Sequence, residues 1–165
     1  MGVERCSLHV PQAMCEAYDY PRLAAFSRGM EIRIGTVKLI FVSGTASVGP
    51  HGETLHVGDF AAQARQAFEN ARAVLQDAGA DWHDAVKVTI YLRDIARDYA
   101  ELNEVRSAYF DELGVHPYPA STCVEPHVCR EALWVEMELL AVVSDESSHD
   151  RKQLQTLVSA KGGPR

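Results

Sequence analysis

The sequence predicts one α/β (α+β) domain, a mixed sheet with two helices on one face, in the order β-β-α-β-α-β-β. Three observations carry this. Two stretches have apolar residues at helical spacing, apolar β-branched runs lie between them, and the last run alternates strictly with a period of two. At 165 residues and 47% hydrophobic, the chain has the length and apolar content of one globular domain.

Residues 1–25 contain Pro11 and Pro21 and read as an irregular segment wrapping the surface. Residues 36–44 (TVKLIFVSG) are apolar on both faces and end at glycine, as a buried strand does. Asp59 is placed to cap a helix whose inward residues are Phe60, Ala64, Ala67, Phe68, Ala71, Val74, Leu75 and Ala78, with Gly79 closing it. Residues 85–92 alternate as a strand. Asp98 and Glu101 have the spacing of a capping box for a second helix, with Tyr99, Leu102, Val105 and Tyr109 as its inner stripe and Gly114 as its stop. Strands at 120–125 and 132–143 complete the domain, which spans 1–143. The stretch 144–165 is polar and reads as a flexible tail.

In the last strand, alternation puts Leu133, Val135, Met137, Leu139 and Ala141 on one face and Trp134, Glu136, Glu138, Leu140 and Val142 on the other. The first set suits the helices. The second mixes large apolar groups with two carboxylates, a pattern for a subunit interface or a pocket, so an oligomer is expected.

The net charge of −7 opposes binding to nucleic acid, which needs clustered positive charge. Residues 1–10 show no apolar run behind a basic start, and no stretch has the length of a membrane span, so a cytoplasmic protein without membrane contact is expected. Cys6, Cys15, Cys123 and Cys129 lack CxxC spacing and read as thiols. No HxH or HExxH pattern suggests a metal site, His51, His56, His83, His116 and His127 read as surface or loop residues, and no cofactor is expected.

Five segments in order, AFSRGMEI, LIFVSGTAS, GADWHDAVKVTIYLRD, YPASTCVEP and LWVEMELLAV, resemble the Rid family, also called YjgF or L-PSP. The resemblance runs from about Phe26 to Val142. It implies a chorismate-mutase-like fold and a homotrimer with clefts between subunits, where the best-known branch hydrolyses enamines or imines of small 2-oxo acids to ketones and ammonia. By resemblance, Phe26 stands at a tyrosine position, and Gly44, followed by Thr45, matches the glycine of an SGQ-type turn. Asn103 matches a pocket asparagine once a one-residue insertion is allowed, and Cys123 a small thiol or hydroxyl. Glu136 matches the glutamate that positions the attacking water. The family's carboxylate-clamping arginine is replaced by Ser121, in PAST, which exchanges a bidentate cation for one neutral hydroxyl. Arg28 and Arg130 are the candidate substitutes.

The SGTAS turn, the HVGD beyond it and the Cys129–Arg130 pair before VEMELLA are also similar to the C-terminal Rid-like half of chorismatases, which cleave chorismate to pyruvate and a cyclic product. That resemblance implies a protonating role for Glu136 and participation of Cys129. Chorismatases carry a further N-terminal domain of comparable size, so a related pocket is implied more than the same reaction. The expected catalytic set is Glu136, Cys129 and Arg130, acting on a small, carboxylate-bearing molecule. A non-catalytic metabolite-binding trimer is the alternative, and ribonuclease activity ranks last. Residue chemistry alone leaves Cys123 and Cys129 open between packed thiols and reactive groups, because no adjacent base is identifiable.

Overall fold

The computed structural model describes residues 2–20 and 24–144. Its strands are β1 (Val3–Leu8), β2 (Gly29–Ile34), β3 (Val37–Ala46), β4 (Ala85–Leu92), β5 (Ala120–Val124) and β6 (Val135–Ser144), and its helices are α1 (Phe60–Asp77) and α2 (Ile95–Leu113). The six strands form one mixed sheet in the order β1-β2-β3-β6-β4-β5. Neighbours pair antiparallel except β4 and β5, which are parallel and joined by the α2 crossover. The expected α+β architecture is therefore present, with both helices on one sheet face.

Helix α1 forms as its sequence dictates. The Asp59 carboxylate accepts a hydrogen bond from the Ala62 N–H at 2.9 Å, and Gly79 takes the left-handed conformation, φ +73°, that ends the helix. Every predicted inward residue of α1 is buried. Phe68 packs against Trp82 at a centroid distance of 5.4 Å and Tyr109 at 5.3 Å, tying α1 to α2. Each such fully buried side chain contributes about 1.5–3 kcal/mol.

Three sequence expectations are corrected. The segment 1–25 is not wholly irregular: β1 adds to the sheet edge, pairing from Val3 with Ile34 to Leu8 with Gly29. Only Leu8 of β1 is buried, so backbone pairing holds the strand and no apolar alternation marks it. Helix α2 begins one turn earlier than expected. Its cap is Asp94, which accepts from the Arg97 N–H at 3.0 Å, while Asp98 is buried in the first turn and ion-paired with Arg97 at 2.6 Å. The two aspartates are four residues apart and compete for the same role. Tyr99 is consequently 48% exposed, and Leu102, Tyr109 and Phe110 carry the buried stripe. Finally, β6 starts at Val135, and Ser144 is its last residue; the rest of the polar tail expected at 144–165 lies outside the described residues.

Alternation along β6 holds: Val135, Met137, Leu139 and Ala141 are buried under the helices, while Glu136 and Leu140 are half-buried and Glu138 and Val142 exposed on the open face. Among the described residues no helix is long and apolar enough to cross a membrane.

Candidate active site

The site begins with an irregularity in β3. Val42 pairs with Leu139 of β6, but the next pair is Thr45 with Met137, so β3 carries one extra residue there, a β-bulge containing Ser43 and Gly44. The bulge inverts the facing of the strand beyond it. Ile40 and Val42 are buried before it, and Thr45, opposite the buried Met137, is fully buried after it.

Glu136 comes after Val135 on β6, between Ala46 of β3 and Tyr91 of β4. Its carboxylate lies directly over Gly44, where a Cβ would collide with Oε1. Glycine is required by this close approach and not by an unusual φ. Together they floor a cavity of about 400 Å³, within the usual range for small-molecule pockets.

Arg28 supplies the wall. It enters β2 one residue before Gly29, is 4% exposed, and donates from Nε to the Cys15 carbonyl at 2.8 Å and from Nη2 to the Tyr20 hydroxyl at 2.8 Å. Its guanidinium lies 5.1 Å from the Phe26 ring centroid and 5.6 Å from that of Tyr20. Arg130 approaches the same Tyr20 ring at 5.4 Å and donates from Nη1 to the Gly52 carbonyl at 2.7 Å.

The loop bearing Cys129 and Arg130 is fixed by two residues the sequence did not single out. Arg93 donates from Nε to the Leu133 carbonyl at 2.8 Å and from Nη2 to the Val128 and Arg130 carbonyls. Buried Gln63 donates to the Ala132 carbonyl at 2.8 Å and accepts from the Trp134 N–H at 2.9 Å. The signal for Gln63 was a polar residue among the mostly apolar positions of the inward face of α1, a place it shares with buried Asn70.

Burial of Glu136 pushes its pKa above the ordinary carboxylate range, and the negative charge of Glu138 adds to the rise; the Arg28 charge opposes it. The carboxyl thus holds its proton at higher pH than a free glutamate while facing a cation. Such a group is suited to proton transfer.

Of the expected site residues, Phe26, Arg28, Gly44, Cys129, Arg130 and Glu136 line this one cavity. Thr45 does not. The bulge turns it toward the helices, its hydroxyl donates to the Ser43 carbonyl at 2.7 Å, and Ala46 takes the cavity-facing place. Asn103, Ser121 and Cys123 also lie elsewhere in the chain, on α2 and β5. Burial pushes the Cys123 thiol pKa up, against the opposing charge of Arg106. All four cysteines are free.

Comparison with known proteins agrees with this architecture. The model of the Endoribonuclease L-PSP family matches residues 20–143. A RutC family protein of Pyrococcus abyssi is 38% identical over 110 residues, 67% of this chain and 81% of that protein. The 2-iminobutanoate/2-iminopropanoate deaminase of Escherichia coli K12 is 36% identical over 105 residues, 63% of this chain and 79% of the enzyme. Among solved structures, the YjgF gene product of E. coli has a TM-score of 0.67 at 29% identity, covering 83% of this chain and 98% of its own. TdcF of E. coli, solved with bound serine, has a TM-score of 0.69 at 28% identity, covering 84% and 99%. A sheet with two helices on one face, a bulged strand under a glutamate and a family match across most of the chain lead to one assignment: the protein belongs to the YjgF/RutC (L-PSP) family.

Proposed function

We propose that the protein hydrolyses the imine or enamine form of a small carboxylate-bearing metabolite to a ketone and ammonia, with Glu136 as acid and base. The observation that carries the reading is the half-buried Glu136 carboxyl, raised in pKa, over Gly44 in a cavity that Arg28 and Arg130 also line. The similarity to 2-iminobutanoate/2-iminopropanoate deaminase supports the reaction class.

The protonated Glu136 carboxyl gives its proton to the imine nitrogen, making the carbon more electrophilic. The resulting carboxylate takes a proton from the water that adds to that carbon, giving a carbinolamine. Glu136 then protonates the amine, which leaves as ammonia, and recovers the hydroxyl proton as the carbonyl forms. One water is consumed and one ammonia released. A positioned acid–base group of this kind contributes about 10²–10⁴-fold.

The protein acts as a homotrimer in this reading. The open sheet face supports it, for Phe41 is 43% and Val37 37% exposed there, beside half-buried Leu140. The charge of −7 disfavours ribonuclease activity. Cys129 at the same cavity as Glu136 favours a second reading, a chorismatase-like lyase, which pyruvate release from chorismate would reveal.

The primary test monitors ammonia release from 2-iminobutanoate generated in situ by an amino-acid oxidase. The protein should accelerate release above the spontaneous rate, and Glu136→Gln should abolish the acceleration. Stoichiometric binding without acceleration would leave a metabolite-binding protein, and an unchanged Glu136→Gln rate would remove Glu136 from the mechanism.

A further inference from the structure

The cavity floored by Glu136 and Gly44 holds more positive charge than one carboxylate needs. Arg28 and Arg130 both line it, and both pack on the Tyr20 ring, 5.6 and 5.4 Å from its centroid. Among the described residues neither has a carboxylate at ion-pair distance, whereas Arg65 is paired with Glu112, Arg72 with Asp81 and Arg97 with Asp98. The partners of the two cavity arginines are neutral: the Cys15 carbonyl and Tyr20 hydroxyl for Arg28, the Gly52 carbonyl and Thr54 hydroxyl for Arg130. Arg28 is 4% exposed, and a cation buried to that degree is costly unless negative charge reaches it.

The uncommitted donors say where that charge would sit. On Arg28, Nε and Nη2 are given to Cys15 and Tyr20, which leaves Nη1 without an acceptor among the described residues. On Arg130, Nη1 holds Gly52 and Thr54, and Nε and Nη2 are left, the edge of the fork that grips a carboxylate bidentately. Arg130 is fixed for this: its carbonyl accepts from Arg93 and from the Leu133 N–H. Ala46, Val48 and Leu133, lining the same cavity, belong to a small apolar cluster apart from the main core and offer a wall for a hydrocarbon chain. Glu136 is the one carboxyl among the described lining residues. Imine hydrolysis begins with its proton in place, so both arginine charges stand when a substrate enters.

We propose that the Glu136 cavity selects a ligand with two carboxylates, one gripped by the Nε–Nη2 edge of Arg130 and the other by Nη1 of Arg28, its chain lying against Ala46, Val48 and Leu133. In the imine-hydrolase reading, on which the identity of the ligand rests, the substrate is the 2-imino form of a short dicarboxylic acid. Water is consumed, and the 2-oxo dicarboxylate and ammonia leave. The dianion site itself does not depend on that reading. The chain's charge of −7 repels anions at long range, so the preference comes from contacts inside the cavity. The sequence offers Arg28 and Arg130 as alternatives for a single role; side by side in one cavity, each has its own anion.

Titration calorimetry on the full chain compares 2-oxoglutarate with 2-oxopentanoate, acids of equal carbon count that differ in the second carboxylate. Wild type should bind 2-oxoglutarate about tenfold or more tightly than 2-oxopentanoate. Arg28→Met and Arg130→Met should each bring the two acids to about the same affinity. Arg130→Gln removes the charge but keeps a donor for the Gly52 carbonyl, so it separates ligand binding from anchoring of that loop, and it should lose the preference as well. Equal affinity for the two acids in wild type, binding of neither, or a preference unchanged in Arg130→Gln would each overturn the proposal. Ammonia release from 2-iminoglutarate and 2-iminopentanoate, each made in situ by an amino-acid oxidase, keeps the two readings apart. A preference for 2-oxoglutarate in a protein that hydrolyses neither imine removes the reaction and keeps the site; equal turnover of both imines with no binding preference does the reverse.

Discussion

Replacing Gly44 with alanine separates the position of the Glu136 carboxylate from the stability of the fold. The added methyl would collide with Oε1 of Glu136. Non-bonded heavy atoms settle at about 3.5–4 Å, so the carboxylate must retreat by more than about 1 Å. The atom that must move is the end of a flexible side chain, and the backbone at Gly44 does not need a positive φ. The cost in stability is therefore small, about 0.5 kcal/mol or less, and Tm should stay within about 2 °C of wild type. The cost in catalysis is larger, because a displacement of about 1 Å at a reacting group removes about 10²-fold in rate, equivalent to about 2.7 kcal/mol of barrier. Imine turnover and thermal melts on the same preparation give both quantities. A Gly44→Ala protein with wild-type Tm and wild-type kcat would refute the reasoning, since it would mean that the carboxylate does not work from above Gly44.

The same geometry sets the outcome of three other perturbations. Glu136 has a raised folded-state pKa, so the folded protein binds more protons than the unfolded chain between the ordinary glutamate pKa and the raised one, and stability falls as pH rises through that window. Glu136→Gln should thus be more stable than wild type at pH 7–8 and about equal below about pH 4; melting curves that stay parallel across this range would contradict the shift. Gly29→Ala should cost about 1–3 kcal/mol in urea unfolding, because its Cβ would meet the Val74 side chain at 2.7 Å and the Phe41 backbone oxygen at 2.9 Å, and the backbone has nowhere to go; unchanged stability would show that β2 shifts freely. Arg28→Met removes the charge that lowers the Glu136 pKa, so the limb of the pH–rate profile governed by Glu136 should move to higher pH, and a profile that does not move would place the two groups out of electrostatic reach.

Helix α1 was legible in the sequence because cap, stripe and terminating glycine all agreed, and β6 because alternation is unambiguous when one face is covered. Strand β1 was not, since an edge strand held by backbone pairing leaves no apolar signature in VERCSL. The start of α2 was ambiguous for a different reason: Asp94 and Asp98 both have capping chemistry, and only tertiary packing decides which one is buried. At the site, the residues to which the resemblance pointed, Glu136, Gly44 and Phe26, and the candidate cations Arg28 and Arg130 line one cavity. Thr45 lies outside that cavity because a bulge changes facing without changing composition.

The bulge in β3 bears on how such a chain accommodates change over generations. In an unbroken strand, the facing of every residue is bound to that of every other, so a one-residue slip anywhere would turn Ile40 and Val42 out of the core. The extra residue at Ser43–Gly44 uncouples the two halves. Upstream, Ile40 and Val42 face the helices; downstream, Thr45 does so while Ala46 faces the cavity that Glu136 and Gly44 floor. Substitutions that reshape the cavity floor can accumulate on one side of that break while the core on the other keeps its facing, which makes the same scaffold open to new substrates without refounding its fold.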